Sequence, residues 1–173
     1  PDGRSYFPYA SEGIRDIYGV SPESVREDAG GVFAVLHPDD AARVKEAISL
    51  SAAQLTPWRD EYRVRLADGR MRWVFGKASA ERESDGSVLW HGFIMDVTER
   101  REQLETNVVG IVRTTQAVLP GMRARRSGRI INVSSAGGKL PTPMLSGYCG
   151  TKAAVDALSE ALRIETKPLG ISV

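Results

Sequence analysis

Two Asp-Gly pairs, Asp68-Gly69 and Asp85-Gly86, constrain this chain most, because each lies between stretches suited to strands and is a strong hairpin signal. Before the first turn, Tyr62, Val64 and Leu66 alternate with Glu61, Arg63 and Arg65, so one face of a strand is buried and the other is wet. Met71 to Glu83 and Val88 to Val97 supply two further strands. The product is an antiparallel meander.

The residues upstream supply short helices to cover one face of that meander. Arg4 to Tyr9 is an aromatic-rich strand candidate after an Asp2-Gly3 turn. Ser11 and Ser21 are placed to cap helices, Pro22 suits a first helical position, and Gly19 ends the helix before it. His37-Pro38-Asp39-Asp40 opens a longer helix through about Ala53, with Val44, Ala47, Ile48 and Leu50 as its apolar stripe. Two carboxylates at its positive end favour that start. The expected fold class is α+β, beginning with a curved antiparallel sheet, short helices and a pocket between them.

The run from Asp96 to Pro120 joins two kinds of sequence within one helix. Thr98 followed by Glu99, Arg100 and Arg101 reads as a capped start, and no Gly or Pro intervenes before Gly110. A helical joint of this kind is a rod rising about 1.5 Å per residue, able to pass a change from one half to the other.

Composition excludes several classes. The 173 residues suffice for one good core or two small ones, and 23 basic against 22 acidic residues give no global attraction to nucleic acid or to an anionic membrane. The single cysteine, Cys149, excludes an internal disulfide framework and suits a reducing cytoplasm. No apolar run approaches the roughly 20 residues that span a bilayer, and the first ten residues do not read as a signal peptide. The expectation is a cytoplasmic protein, without nucleic acid or membrane as partner, whose abrupt start and end read as trimmed. His37 reads as a helix cap and His91 as a strand residue, so no metal site is expected.

The second half has a different pattern. Between Asn107 and Met122 the apolar residues Val108, Val109, Ile111, Val112, Val118 and Leu119 wrap around much of a helix, which then needs covering on two sides. Arg129 to Ser134 reads as a strand without alternation, the pattern of burial on both faces in a parallel sheet. A loop from Ala136 to Gly147 leads to an alanine-rich helix from about Tyr148 to Thr166, and Ile171 to Val173 begins another strand.

Residues 4 to about 103 resemble a PAS domain, on the HPDD helix start (His37 to Asp40), the E-Y-R-x-R-x-x-D-G-x-x-R-W hairpin (Glu61 to Trp73) and the D-x-T-E-R exit (Asp96 to Arg100). The resemblance implies a module that senses a small molecule, cofactor or light, or pairs with a copy of itself, and signals through the helix after the D-x-T motif. Flavin photosensors of that family use a cysteine in the helical half, and haem sensors a helical histidine; this chain has neither there. Trp73, Phe75, Trp90 and Phe93 either line a pocket for an apolar small molecule or serve as ordinary core and cross-strand packing. The family's first strand, central in the sheet, is not in residues 1–103, so another strand is expected to fill the gap between the segments near Phe7 and Phe93.

Residues from about 105 to 173 resemble the short-chain dehydrogenase/reductase family, on N-V-V-G (Asn107 to Gly110), I-N-V-S-S (Ile131 to Ser135) and Y-C-G-T-K (Tyr148 to Lys152). The resemblance implies Tyr148 as general acid/base, Lys152 lowering its pKa and holding the nicotinamide ribose, Ser135 polarising the substrate carbonyl, and Asn107 holding helix geometry and a proton-relay water. A cation one turn after a tyrosine stabilises phenolate in any case. The glycine-rich turn that cradles a dinucleotide pyrophosphate is not in the sequence.

These readings place a PAS-like domain lacking its first strand at 1–103 and a dehydrogenase-like fragment at 104–173, so that the α+β chain is expected to run from a PAS-like antiparallel sheet with short helices into an incomplete Rossmann-type helix-strand-helix segment. The expected function is that of a recombined, chimeric protein without competent catalysis, in which a small-molecule-binding or self-associating module is joined to a dimerising helical fragment. Two alternatives stand beside it, a sensory PAS module with a natural ligand and an NAD(P)-dependent oxidoreductase remnant. No cofactor is expected, and NAD(P) only if the fragment is active. The two-sided apolar helix points to a homodimer or a strand-exchanged oligomer, in which Ile130 to Ser134 docks into or beside the short sheet of the first half.

Overall fold

The computed structural model describes residues 5–173. Two compact units divide the chain, the first ending at Thr98 and the second running from Glu99 to Val173.

In the first unit four helices precede three strands: α1 (Gly13–Tyr18), α2 (Pro22–Glu27), α3 (Gly30–Ala34), α4 (Pro38–Gln54), β1 (Trp58–Arg65), β2 (Met71–Arg82) and β3 (Val88–Asp96). Gly19 ends α1 at φ 72°, a left-handed position that glycine adopts without a side-chain clash. The Ser21 hydroxyl accepts from Ser24 N at 3.1 Å and caps α2. Ser11 does not act as expected: α1 begins after Glu12 with no side-chain cap. His37 caps α4, its Nδ1 accepting from Asp39 N at 3.3 Å.

The three strands form one antiparallel sheet in the order β1-β2-β3. Tyr62 lies opposite Val74, and Val74 opposite Asp96, so even-numbered residues of all three strands share one face. That face carries Tyr62, Val64 and Val74, which pack with Ile14, Tyr18, Val25, Val32 and Val44 from the helices and with Leu36 from the segment before α4. Leu50 lies outside this core, 54 % exposed; the stripe of α4 runs instead through Val44, Ile48 and Ser51. The segment before α4 covers the free edge of β1: His37 N donates to Arg63 O and Arg65 N to Val35 O.

The Arg4-to-Tyr9 strand is a misreading over its described part. Residues 5–9 form no strand; Phe7 N donates to Val25 O, and Ser5 O accepts from Ala29 N, so the segment is held by the helical layer rather than by a ladder. Arg4 and the Asp2-Gly3 turn lie outside the described residues. No strand among the described residues pairs with the outer edge of β3.

The second unit opens on one continuous helical run. It comprises α5 (Thr98–Leu104, its first residue still in the first unit), a π-helical turn (Glu105–Val109) and α6 (Gly110–Arg125), with Pro120 inside the last. The unit continues through β4 (Gly128–Arg129), a 3-10 turn (Ala136–Gly138), α7 (Ser146–Thr166) and β5 (Ile171–Ser172). β4 and β5 pair in parallel, Gly128 opposite Ile171. Cys149, Thr151, Val155, Thr166 and Ile171 are buried around α7.

The expected doubly buried strand is shorter and more open than its composition suggests. Only Gly128 and Arg129 are in strand, and Ile131 and Val133 are 78 % and 76 % exposed. A strand of that kind needs neighbours on both edges and layers on both faces; here β5 is its partner and ends two residues into the pairing. Within the chain Ile130 to Ser134 does not join the first unit's sheet, since the two sheets are separate.

Candidate functional site

In the second unit α7 carries Tyr148 and Lys152 one turn apart, and the loop after β4 brings Ser135 to them. Lys152 Nζ lies 5.8 Å from the Tyr148 ring centroid and donates to Val133 O at 3.1 Å. The Ser134 hydroxyl donates to Lys152 O at 3.1 Å, while Ser135 Oγ accepts from Gly137 N at 3.1 Å. A Cβ on Gly137 would lie 3.4 Å from Tyr148 Cε1 and 3.6 Å from Ser135 Oγ, which places the tyrosine ring edge and the serine hydroxyl around one backbone position. A Cβ on Gly138 would meet Lys152 O at 3.0 Å and Asp156 Oδ2 at 2.9 Å, so the glycine permits the loop's close approach to α7.

Asn107 sits within the π-helical turn, and its amide donates to Thr151 Oγ1 at 3.0 Å. Thr151 in turn donates to Tyr148 O at 2.8 Å. Asn107, Ser135, Tyr148 and Lys152 thus belong to one connected neighbourhood, and Thr151 is the link that sequence reasoning passed over. Its signal was its place between the tyrosine and lysine of the motif: a 3 % exposed polar side chain on that turn needs internal partners.

The four aromatic residues named for a ligand pocket do not enclose one. Trp90 faces α4, its Nε1 donating to Ser51 Oγ at 3.3 Å. Trp73, Phe75 and Phe93 are odd-numbered and lie on the opposite face, where Phe75 and Phe93 pack with ring centroids 6.1 Å apart. There Arg59 covers Phe75 at 5.3 Å and Arg63 covers Trp73 at 5.6 Å. Two clefts of about 290 and 280 Å³ lie in the first unit, one beside Arg15, Leu66 and Arg72 and one beside Phe33, Lys45 and Ile48; none of the four aromatics lines either.

The helix-facing side of the sheet is polar in its depths. The hydroxyls of Tyr18 and Tyr62 share a hydrogen bond of 2.5 Å. Burial pushes the Tyr62 phenol up to about 12 and raises that of Tyr18 as well, so both stay protonated. At the exit of the sheet, Asp96 Oδ1 accepts from both Thr98 N at 2.9 Å and Thr98 Oγ1 at 2.6 Å, and its Oδ2 pairs with Arg72. Burial acts to raise the Asp96 carboxyl, but the Thr98 and Arg72 hydrogen bonds outweigh it and hold the group below its ordinary value. Thr98 Oγ1 also accepts from Trp73 N at 2.9 Å, so side chains tie the first residue of α5 to β2.

The PAS fold family model matches residues 7–94, half of the chain, in the unit that carries this sheet and exit. The chain belongs to the PAS fold family. Its PAS domain is fused to a segment that matches the short-chain dehydrogenase model over residues 92–173. Among curated relatives, the uncharacterized oxidoreductase YusZ of Bacillus subtilis is 43% identical over 90 residues, 51% of this chain and 32% of that protein. The mitochondrial D-beta-hydroxybutyrate dehydrogenase of Rattus norvegicus is 47% identical over 73 residues, 42% of this chain and 21% of that protein. The chain therefore spans a third or less of the length of these relatives.

Among solved structures, a sensory box histidine kinase/response regulator from Burkholderia thailandensis is similar at 28% identity and a TM-score of 0.48, covering 65% of this chain and 80% of that one. A short-chain dehydrogenase from Streptomyces avermitilis is 48% identical with a TM-score of 0.43, covering 43% of this chain and 28% of that one. Among the described residues, no helix is long and apolar enough to cross a membrane.

Proposed function

We propose that this chain is a small-molecule-sensing PAS module whose exit helix continues into the dehydrogenase-like segment and carries the sensed change to it. The observation that carries this reading is the anchoring of Thr98. Its backbone and side chain are held by Asp96 at the end of β3 and by Trp73 N in β2, and the helix it begins runs through the π turn that holds Asn107. A ligand that shifts β2 against β3 changes these bonds first, and the helix start is the next thing to move. Thermal unfolding of the full chain against a mixture of small metabolites tests the reading. The expected result is a raised Tm together with altered amide exchange over residues 98–109; no stabilisation by any fraction of the mixture overturns it.

A second reading, an oxidoreductase remnant, is favoured by the convergence of Tyr148, Lys152 and Ser135 and by relatives that are named oxidoreductases and dehydrogenases. The residues present fit a dinucleotide at its reactive end only. Tyr148 and Lys152 are there, but Gly137-Gly138 packs on α7 and so is no phosphate cradle, and Lys152 Nζ is engaged by Val133 O. A catalytically silent chimera draws less support than either reading, because both segments match families with sensory or catalytic members. Titration of the full chain with NADH, followed by nicotinamide fluorescence, separates the two: enhancement lost on Lys152→Ala supports the remnant, and an unchanged signal at millimolar NADH removes it.

A further inference from the structure

The helical run that opens the second unit contains a π turn, Glu105–Val109, closed by Gly110 N donating to Glu105 O five positions back. A π turn holds one residue more than an α turn, and such turns recur at functional points of helices. At 3.6 residues per turn, releasing that residue into the α pattern rotates one flank against the other by about 100° and moves it along the axis by about 1.5 Å.

The two flanks are held differently. Beyond α6, Arg126 Nη2 donates to Pro168 O at 3.0 Å and Ile130 N donates to Ser172 O at 2.9 Å, so that end is fixed. The seven residues of α5 include none that is buried, and its approach to α7 is through the Gln103 side chain, whose Oε1 lies 3.0 Å from where a Cβ on Gly147 would be. Two side chains keep the turn between them. Glu105 pairs with Arg113, an exposed pair that holds little. Asn107 donates to Thr151 at 3.0 Å in partly buried surroundings, and is the stronger catch.

We propose that the π turn is a register switch: while the extra residue stays in the turn, Asn107 remains on Thr151, and when α5 rotates, that residue passes into the α pattern and Asn107 leaves Thr151. The inference rests on the sensory reading above and names the step by which a change at Thr98 reaches α7. At about two turns, α5 is short enough to rotate as one piece once the bonds of Thr98 to Asp96 and Trp73 change. Release of Asn107 takes from Thr151 one of its two hydrogen-bond partners, the other being Tyr148 O, and so acts on the turn of α7 that carries Tyr148 and Lys152.

Spin labels at two exposed positions, Glu102→Cys in α5 and Ala157→Cys in α7, in a Cys149→Ala background, read the rotation as a distance by electron–electron double resonance on the full chain. One dominant distance is expected with no further substitution. A second, displaced by several ångströms, is expected to dominate in Thr98→Ala and in Thr151→Val, which removes the hydroxyl and keeps the shape. Deleting Thr106 takes out the extra residue and leaves both flanks in their present orientation, so the first distance is expected to persist there even with Thr98→Ala. One unchanged distance in every variant makes the turn a fixed kink and overturns the proposal, as does a second distance that survives the deletion. If circular dichroism shows that the deletion does not fold, the Thr98→Ala and Thr151→Val distances decide. The sensory reading fails separately, when the metabolite mixture stabilises nothing, because the distance measurement uses no ligand.

Discussion

Asp40 shows how far a single residue's surroundings exceed its motif. Its place at the start of α4 suggests a favourable charge near a helix N-terminus, but its carboxylate also reaches across to β1. Arg63 donates to it three times, from the backbone N, from Nε and from Nη2, each at 2.9 Å. The side-chain bonds from Arg63, helped by the backbone bond and working against desolvation, lower the Asp40 pKa from 3.8 to about 2. Because the folded value lies below the unfolded one, this carboxylate stabilises the fold fully above about pH 4, and the contribution is lost as pH falls toward 2. Allowing for partial solvent screening, the contribution is about 1 to 2 kcal/mol. Asp40→Asn is expected to lower stability at pH 7 by that amount and to flatten its decline between pH 4 and 2, as read from urea midpoints at several pH values. An unchanged acid limb in the variant contradicts this. The helix start itself was legible in His37-Pro38-Asp39-Asp40, since capping is local. Arg63, 23 positions further on, was not, because nothing local says which strand residue a carboxylate will meet. The same holds for Asn107 and Thr151: the family motifs name the asparagine, yet the hydroxyl it bonds lies 44 positions away.

At the scale of elements, period-two alternation and the Asp-Gly turns located the second and third strands of the meander to within one residue and the turn end of the first, because a hairpin register is set by its turn; the first strand starts at Trp58, three residues before the alternation read from Glu61. The short strands failed for the opposite reason. Phe7 and Ile131 sit in β-favouring stretches, but a strand exists only where a neighbour supplies hydrogen bonds, and among the described residues neither is paired in a strand. The junction helix was legible, and the π turn inside it was not. Its start provides a prediction. Thr98 Oγ1 accepts from Trp73 N and donates to Asp96, so Thr98→Ala removes two bonds that join helix to sheet. A cost of about 1 to 2 kcal/mol is expected, with severalfold faster amide exchange at Trp73 and along α5. Thr98→Ser, which keeps the hydroxyl, is expected to restore slow exchange. Exchange in the alanine variant equal to that of the wild type shows that the helix start is held by other means.

The molecule as a whole is two cores of unequal quality, and their separation is measurable. The first unit buries a cluster of nine side chains from its four helices, the segment before α4, and strands β1 and β2, with Val64 and Val74 fully inaccessible. The second relies on Val155, Ile171 and Cys149 beside the buried threonines Thr151 and Thr166, while Ile131, Val133, Leu140 and Met144 stay exposed. Less apolar area removed from water means less stabilisation, by about 25 cal/mol per Å², so the second unit is expected to unfold first in guanidinium. The chain's three tryptophans, Trp58, Trp73 and Trp90, all lie in the first unit, whereas the two longest helices of the second, α6 and α7, contribute much of the helical signal. Far-UV circular dichroism should therefore show a transition at lower denaturant that tryptophan fluorescence does not see, followed by one that both detect. Val155→Ala is expected to move only the earlier transition and Val64→Ala only the later one, each by about 1 to 3 kcal/mol. Coincident curves from both probes, with each substitution shifting both together, would mean that the units fold as one cooperative body. Strong thermodynamic coupling of that kind would route a signal through the whole fold, whereas two separable transitions leave the helix anchored at Thr98 as its path.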